Sequence, residues 1–125
     1  AMEEISSLTK DNTGGVFNIC LNYGGHAEIV DATKDIVKLV LDNKLSIDDI
    51  TEEEFAKHLY QDLPPIDLMI RTSGEVRLSN FMLWQLSYAE MYFPDCHWPA
   101  FSESEFDKAI RAYNGRERRF GGNSK

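Results

Sequence analysis

Cysteine is scarce in this sequence: two residues in 125, with no metal-ligand or redox spacing between them. A disulfide framework or a cysteine-held zinc is thereby disfavoured, and Cys20, inside an apolar run, reads as a buried free thiol. Long hydrophobic runs are missing too. None approaches the roughly 18 residues that would span a bilayer, and no basic start followed by an apolar stretch marks a signal peptide. Basic residues are outnumbered, 13 Lys and Arg against 21 Asp and Glu, a formal net charge of −8. Such a balance argues against a nucleic-acid partner, whose phosphates bind basic faces. There are no repeats, no low-complexity linker, no Walker or Rossmann glycine pattern and no nucleophile beside a base. His26, His58 and His97 share no ligand spacing. A single soluble, cytoplasmic domain is the expectation.

Charge is unevenly spread. Residues 1–70 carry five basic and fourteen acidic groups, whereas residues 111–125 carry Arg111, Arg116, Arg118, Arg119 and Lys125 against Glu117 alone. This cationic tail reads either as a helix end favoured by the macrodipole or as an element that binds an anion.

Hydrophobic patterning divides the chain into alternating strands and helices. Residues 3–10 read as a helix end stopped by "DNTGG". "VFNICL" (16–21) is nearly all apolar and suits a parallel strand covered on both faces. After "NYGG" a helix runs to about Asn43, with Ile29, Ile36, Val37 and Val40 on one stripe. Thr51 and Glu54 form a capping box for a short helix whose Phe55 and Leu59 share a face, and "LPP" (63–65) ends it. Strand "IDLMIRT" (66–72) feeds the loop "RTSGEVRLSN" (71–80). A buried helix over 80–89, capped by Ser79 or Asn80, and a third strand "EMYF" (90–93) follow. Ser102 and Glu105 make a second capping box for a helix stacking Phe106, Ala109, Ile110 and Tyr113. The fold class is therefore α/β, part of a mainly parallel sheet flanked by helices. Three strands leave two open edges, so the sheet looks incomplete without further cover.

In open α/β sheets ligands collect beyond the carboxyl ends of the strands. Arg71 and Ser79 belong to that edge, and Arg77 joins them across the loop, with Gly74 allowing a tight turn. Two guanidiniums, a hydroxyl and helix N–H groups are the parts a diphosphate needs. The alternative is that the arginines pair with local carboxylates such as Glu75. Glu90, at a strand start after an apolar helix, must be solvated, paired or metal-bound. His26 meets the helix that follows "NYGG", as a cap, a surface residue or an anion contact. Trp84, Tyr88, Tyr92, Phe93 and Trp98 read as an aromatic cluster in the core, or as a substrate wall or subunit interface.

Taken together, "NYGG" (22–25), "DLMIRTSGEVRLSNFMLWQLSYAEMYF" (67–93), "WP" (98–99) and "RERRFGG" (116–122) closely resemble the carboxyl-terminal half of the cis-prenyltransferases of the undecaprenyl diphosphate synthase kind. The resemblance implies a transferase that condenses isopentenyl diphosphate onto an allylic primer such as farnesyl diphosphate. It makes Z double bonds, releases pyrophosphate and requires Mg2+. Its product would be a membrane-associated polyprenyl diphosphate carrier for cell-wall synthesis, made by a cytoplasmic enzyme peripheral to the inner face of the membrane. It further implies that Arg71, Arg77 and Ser79 hold the isopentenyl diphosphate, that Glu90 helps place Mg2+ across a homodimer interface, and that Arg119 and Gly121 reach the partner's site.

Two departures stand out within the matching blocks: Val76 replaces a histidine of some family members, and His26 stands where arginine is usual. The family's catalytic metal-binding aspartate belongs to an amino-terminal half that this chain does not include, so no catalytic residue is assigned within it. The expectation is a domain that carries the isopentenyl diphosphate site and is inactive alone. The rival is a non-catalytic partner subunit of a prenyltransferase heteromer.

Overall fold

The computed structural model describes residues 2–116. It contains α1 (Met2–Thr9), α2 (Gly25–Leu41), α3 (Glu52–Ala56), β1 (Leu68–Ile70), β2 (Glu90–Tyr92) and α4 (Glu103–Asn114), with short 3-10 turns at Ile47–Asp49 and Trp98–Ala100. β1 and β2 pair in parallel, Leu68 opposite Glu90 and Ile70 opposite Tyr92. The α/β class holds, yet among the described residues the sheet has two strands rather than three. "VFNICL" is extended but forms no ladder, and Val16 and Phe17 are 92% and 88% exposed. An apolar strand of the doubly covered kind needs neighbours on both sides, and no described segment lies beside this one in a sheet. Cys20 consequently is an exposed free thiol rather than a buried one.

α2 ends as its sequence suggests. Asn43 adopts φ 55°, its N–H bonds the Val40 carbonyl at 3.0 Å, and the Lys44 N–H bonds that of Leu39 at 2.8 Å. These are the paired bonds of a Schellman stop, with asparagine in the left-handed position usually given to glycine. The buried face is rotated from the expected one: Gly25, Glu28, Ala32 and Ile36 are inside, while Val37 is exposed. Thr51 caps α3 by accepting the Glu54 N–H at 3.1 Å, and Phe55 then packs on Trp84 with ring centroids 4.5 Å apart. Ser102 begins α4, but its hydroxyl bonds that of Ser104 at 3.1 Å instead of capping the backbone. Ala109 is fully buried there, whereas Phe106 stays exposed.

The expected helix at 80–89 is a run of turns. Ser79, Asn80 and Met82 have φ of 51°, 63° and 43°; left-handed residues cannot open a right-handed helix. The segment is nonetheless buried by its apolar side chains. Met82 and Leu86 join Met69 of β1 in the core, with Tyr23, Leu78, Met91 and Phe93 packed around them. Of the five aromatics expected as one cluster, Phe93 packs against the core, Trp84 packs on Phe55, and Trp98 stacks on Phe101 at 5.8 Å.

Candidate diphosphate site

β1 ends at Ile70, and the Arg71 N–H extends its ladder by bonding the Tyr92 carbonyl at 3.0 Å. Ser73 and Gly74 then turn through consecutive left-handed conformations, φ 70° and 64°. Their N–H groups bond the Cys96 and Pro94 carbonyls at 2.8 and 3.0 Å, and His97 Nδ1 lies 3.1 Å from Ser73 Oγ. The loop after β1 is thus fastened to the loop after β2. A Cβ at Gly74 would come within 3.1 Å of Asp95 Oδ1 as well as straining the backbone.

Arg71 reaches back over this loop, its Nη1 donating to the Arg77 carbonyl at 2.5 Å. Arg77 pairs with Glu75, on the surface, so the local ion pair that rivals an anion is formed. Both arginines line one pocket of about 260 Å3, over an apolar floor of Met69, Ile70, Phe81 and Leu86. Ser79 is exposed beside the pocket but is not part of its lining. The helix N-terminus expected after Ser79 does not form, so it supplies no dipole to this pocket.

Asn80 is engaged elsewhere. Its carbonyl accepts the Gly25 N–H at 2.8 Å and its Oδ1 accepts the His26 N–H at 2.8 Å, closing the first turn of α2. The "NYGG" glycines let the chains meet: a Cβ at Gly25 would lie 3.2 Å from the Leu83 nitrogen and 3.3 Å from the Asn80 carbonyl. His26 therefore meets the loop through its backbone, as a capped residue.

Glu28, one turn further along α2, is a buried acid that the apolar pattern does not reveal. It is 2% exposed and accepts hydrogen bonds from the Tyr23 hydroxyl, from the Tyr60 N–H at 3.1 Å and from Gln85 Nε2 at 3.2 Å. Burial first, and then the bond to this carboxylate, push the Tyr23 hydroxyl well above its ordinary value. The available signal was an acid set among Gly25, Ala32 and Ile36 at helical spacing.

Glu90 opens β2 opposite Leu68, so about 10 Å of strand separates its level from that of Arg71. Its carboxylate accepts from Arg116 Nη1 at 2.7 Å, and the same guanidinium bonds the Met91 carbonyl at 3.0 Å. Among the described residues no three His, Cys, Asp or Glu side chains gather as metal ligands. Glu90 by itself does not make a Mg2+ site. Arg119 and Gly121 lie outside the described residues. Among the described residues, no helix is long and apolar enough to cross a membrane.

Residues 1–121 match the family model "Putative undecaprenyl diphosphate synthase". An isoprenyl transferase of Fusobacterium nucleatum is 54% identical over 121 residues, 97% of this chain and 50% of its own length. A ditrans,polycis-undecaprenyl-diphosphate synthase ((2E,6E)-farnesyl-diphosphate specific) of Francisella tularensis is 52% identical, over 96% of this chain and 47% of that protein. Among solved structures, lavandulyl diphosphate synthase from Lavandula x intermedia, in complex with dimethylallyl diphosphate, superposes with a TM-score of 0.90 at 38% identity. That match covers 95% of this chain and 52% of that one. The chain spans about half the length of the curated relatives it matches.

Proposed function

The chain belongs to the undecaprenyl diphosphate synthase family of isoprenyl transferases, and from that premise we propose that the pocket at the end of β1 binds the diphosphate of isopentenyl diphosphate. The observation that carries this reading is the convergence of Arg71 and Arg77 on one pocket of about 260 Å3. Guanidiniums present planar forks that match phosphate oxygens, and a pocket with an apolar floor strengthens the attraction by excluding water. Diphosphate would displace the Glu75 carboxylate from Arg77, a surface partner held weakly in water. Ser79 adds a hydroxyl at the pocket edge. The apolar floor receives the isopentenyl carbons.

Within the whole enzyme, such a pocket would orient isopentenyl diphosphate for condensation with an allylic diphosphate, farnesyl diphosphate being the primer named for the Francisella relative. The product is a Z-polyprenyl diphosphate, the lipid carrier of cell-wall synthesis, delivered to the membrane by a peripheral enzyme. Arg119 and Gly121 extend the cradle across a homodimer. Glu90, now paired with Arg116, would offer one carboxylate to a Mg2+ ion, which would supply charge stabilisation for the departing diphosphate, with its other ligands drawn from outside the described residues.

Calorimetric titration with isopentenyl diphosphate tests the pocket. Arg71→Ala should weaken binding by about 10- to 100-fold, the value of one charge-assisted contact; equal affinity in the variant refutes the assignment. With Mg2+, farnesyl diphosphate and labelled isopentenyl diphosphate, the 125-residue chain alone should make no long-chain product.

A further inference from the structure

We propose that Asn80 is a positioning residue for the cradle: it locks the loop bearing Arg77 and Ser79 to the first turn of α2 without touching the ligand. The inference rests on the diphosphate reading above and deepens it. Ser79 and Asn80 are consecutive non-glycine residues with φ of 51° and 63°. Such conformations persist only where surrounding bonds hold them. Asn80 supplies those bonds from both its backbone and its side chain, to Gly25 and His26 at 2.8 Å each. The start of α2 has no cap of its own, since Gly24 at the N-cap offers no side chain. One asparagine therefore completes a helix start and fixes the turn that presents Ser79.

Gln85 ties the same segment to α2 a second time, through the buried Glu28 carboxylate. The far end of the loop is fastened by backbone bonds to the Tyr92, Pro94 and Cys96 carbonyls. The cradle is thus pinned at both ends, and Asn80 is the pin whose side chain can be altered while both arginines stay. Gly24 is fitted to it as well: a Cβ there would lie 3.1 Å from Asn80 Nδ2.

Two substitutions separate the roles. Asn80→Gly keeps the left-handed backbone and the carbonyl while removing Oδ1. Asn80→Asp keeps an acceptor at that place. Titrations with isopentenyl diphosphate at 0.5 M salt, which screens the added carboxylate, should give about 10-fold weaker binding for Asn80→Gly and binding within about threefold of wild type for Asn80→Asp. Amide exchange at His26 should quicken in Asn80→Gly and return to the wild-type rate in Asn80→Asp. Wild-type affinity in Asn80→Gly, together with lost affinity in Arg71→Ala, overturns the positioning role and leaves the pocket standing. No binding by wild type, or full binding by Arg71→Ala, removes the pocket reading and the inference with it. Should Asn80→Gly fail to fold, the wild-type protein still decides: saturating isopentenyl diphosphate should slow exchange at Gly25 and His26, and unchanged rates overturn the proposal.

Discussion

Glu28 shows how one buried acid can organise three segments. Its carboxylate gathers a hydroxyl from the turn before α2, an N–H from the end of the α3 region and an amide from the 80–89 turns. A charge taken out of water is tolerated when such donors replace its hydration. The arrangement has a pH signature. Tyr23 keeps its proton in the folded state at pH values where the unfolded chain, with an ordinary value of 10.0, releases it. The unfolded state then binds fewer protons, so stability is undiminished below pH 10 and falls as pH rises above it. Urea unfolding at pH 9 and at pH 11 should show that fall, and Tyr23→Phe should make it shallower. Tyr60, raised chiefly by its bond to Asp31, and Lys57 and Lys108, raised chiefly by their bonds to Glu54 and Glu105, remain in the variant and contribute to what slope is left. An equally steep fall in Tyr23→Phe would contradict this account.

Helix boundaries are legible where the signal is local. Asn43 as a stop and Thr51 as a cap both act through neighbours within five residues, and the sequence carries that information directly. Elements that depend on distant partners are not legible in this way. "VFNICL" has the composition of a strand, yet strand formation requires a second strand beside it. The apolar spacing of 80–89 predicted burial correctly and helix wrongly, because the left-handed backbone at Ser79, Asn80 and Met82 serves a contact with α2 that no periodicity encodes. In the site, the pair of Arg71 and Arg77 flanking a glycine is legible in the sequence, whereas Asn80 caps not the segment that follows it but a helix start 54 residues earlier. The tight fit of "NYGG" against that segment gives a direct test. Gly25→Ala forces a methyl against the Leu83 nitrogen and the Asn80 carbonyl. It should cost about 1–3 kcal/mol in urea denaturation, the usual penalty for overpacking; an unchanged midpoint would mean that the two segments separate freely.

Across the whole molecule, apolar surface is distributed in a way that the two-stranded sheet explains. Val16, Phe17, Ile19 and Leu21 are all exposed along one extended segment, and apolar side chains gathered in one exposed stretch favour association. In sedimentation velocity the chain should therefore populate species above 14.3 kDa as its concentration rises, and Phe17→Glu should return it toward monomer. Identical profiles for the two proteins would assign any association to another surface. The family block over residues 67–93 carried the resemblance because its loop residues are chemically specific. The sheet count did not follow from the same letters, since a ladder depends on what lies beside the strand.

The cap on α2 also sets a schedule. Asn80 lies 54 residues downstream of His26, so during synthesis the helix start emerges well before the residue that closes it. At elongation rates of 5–20 residues per second that interval is about 3–10 s. For that time α2 has its Schellman stop but no start. Its first turn becomes firm only when the arginine loop has been made, which ties the birth of the helix to the completion of the pocket.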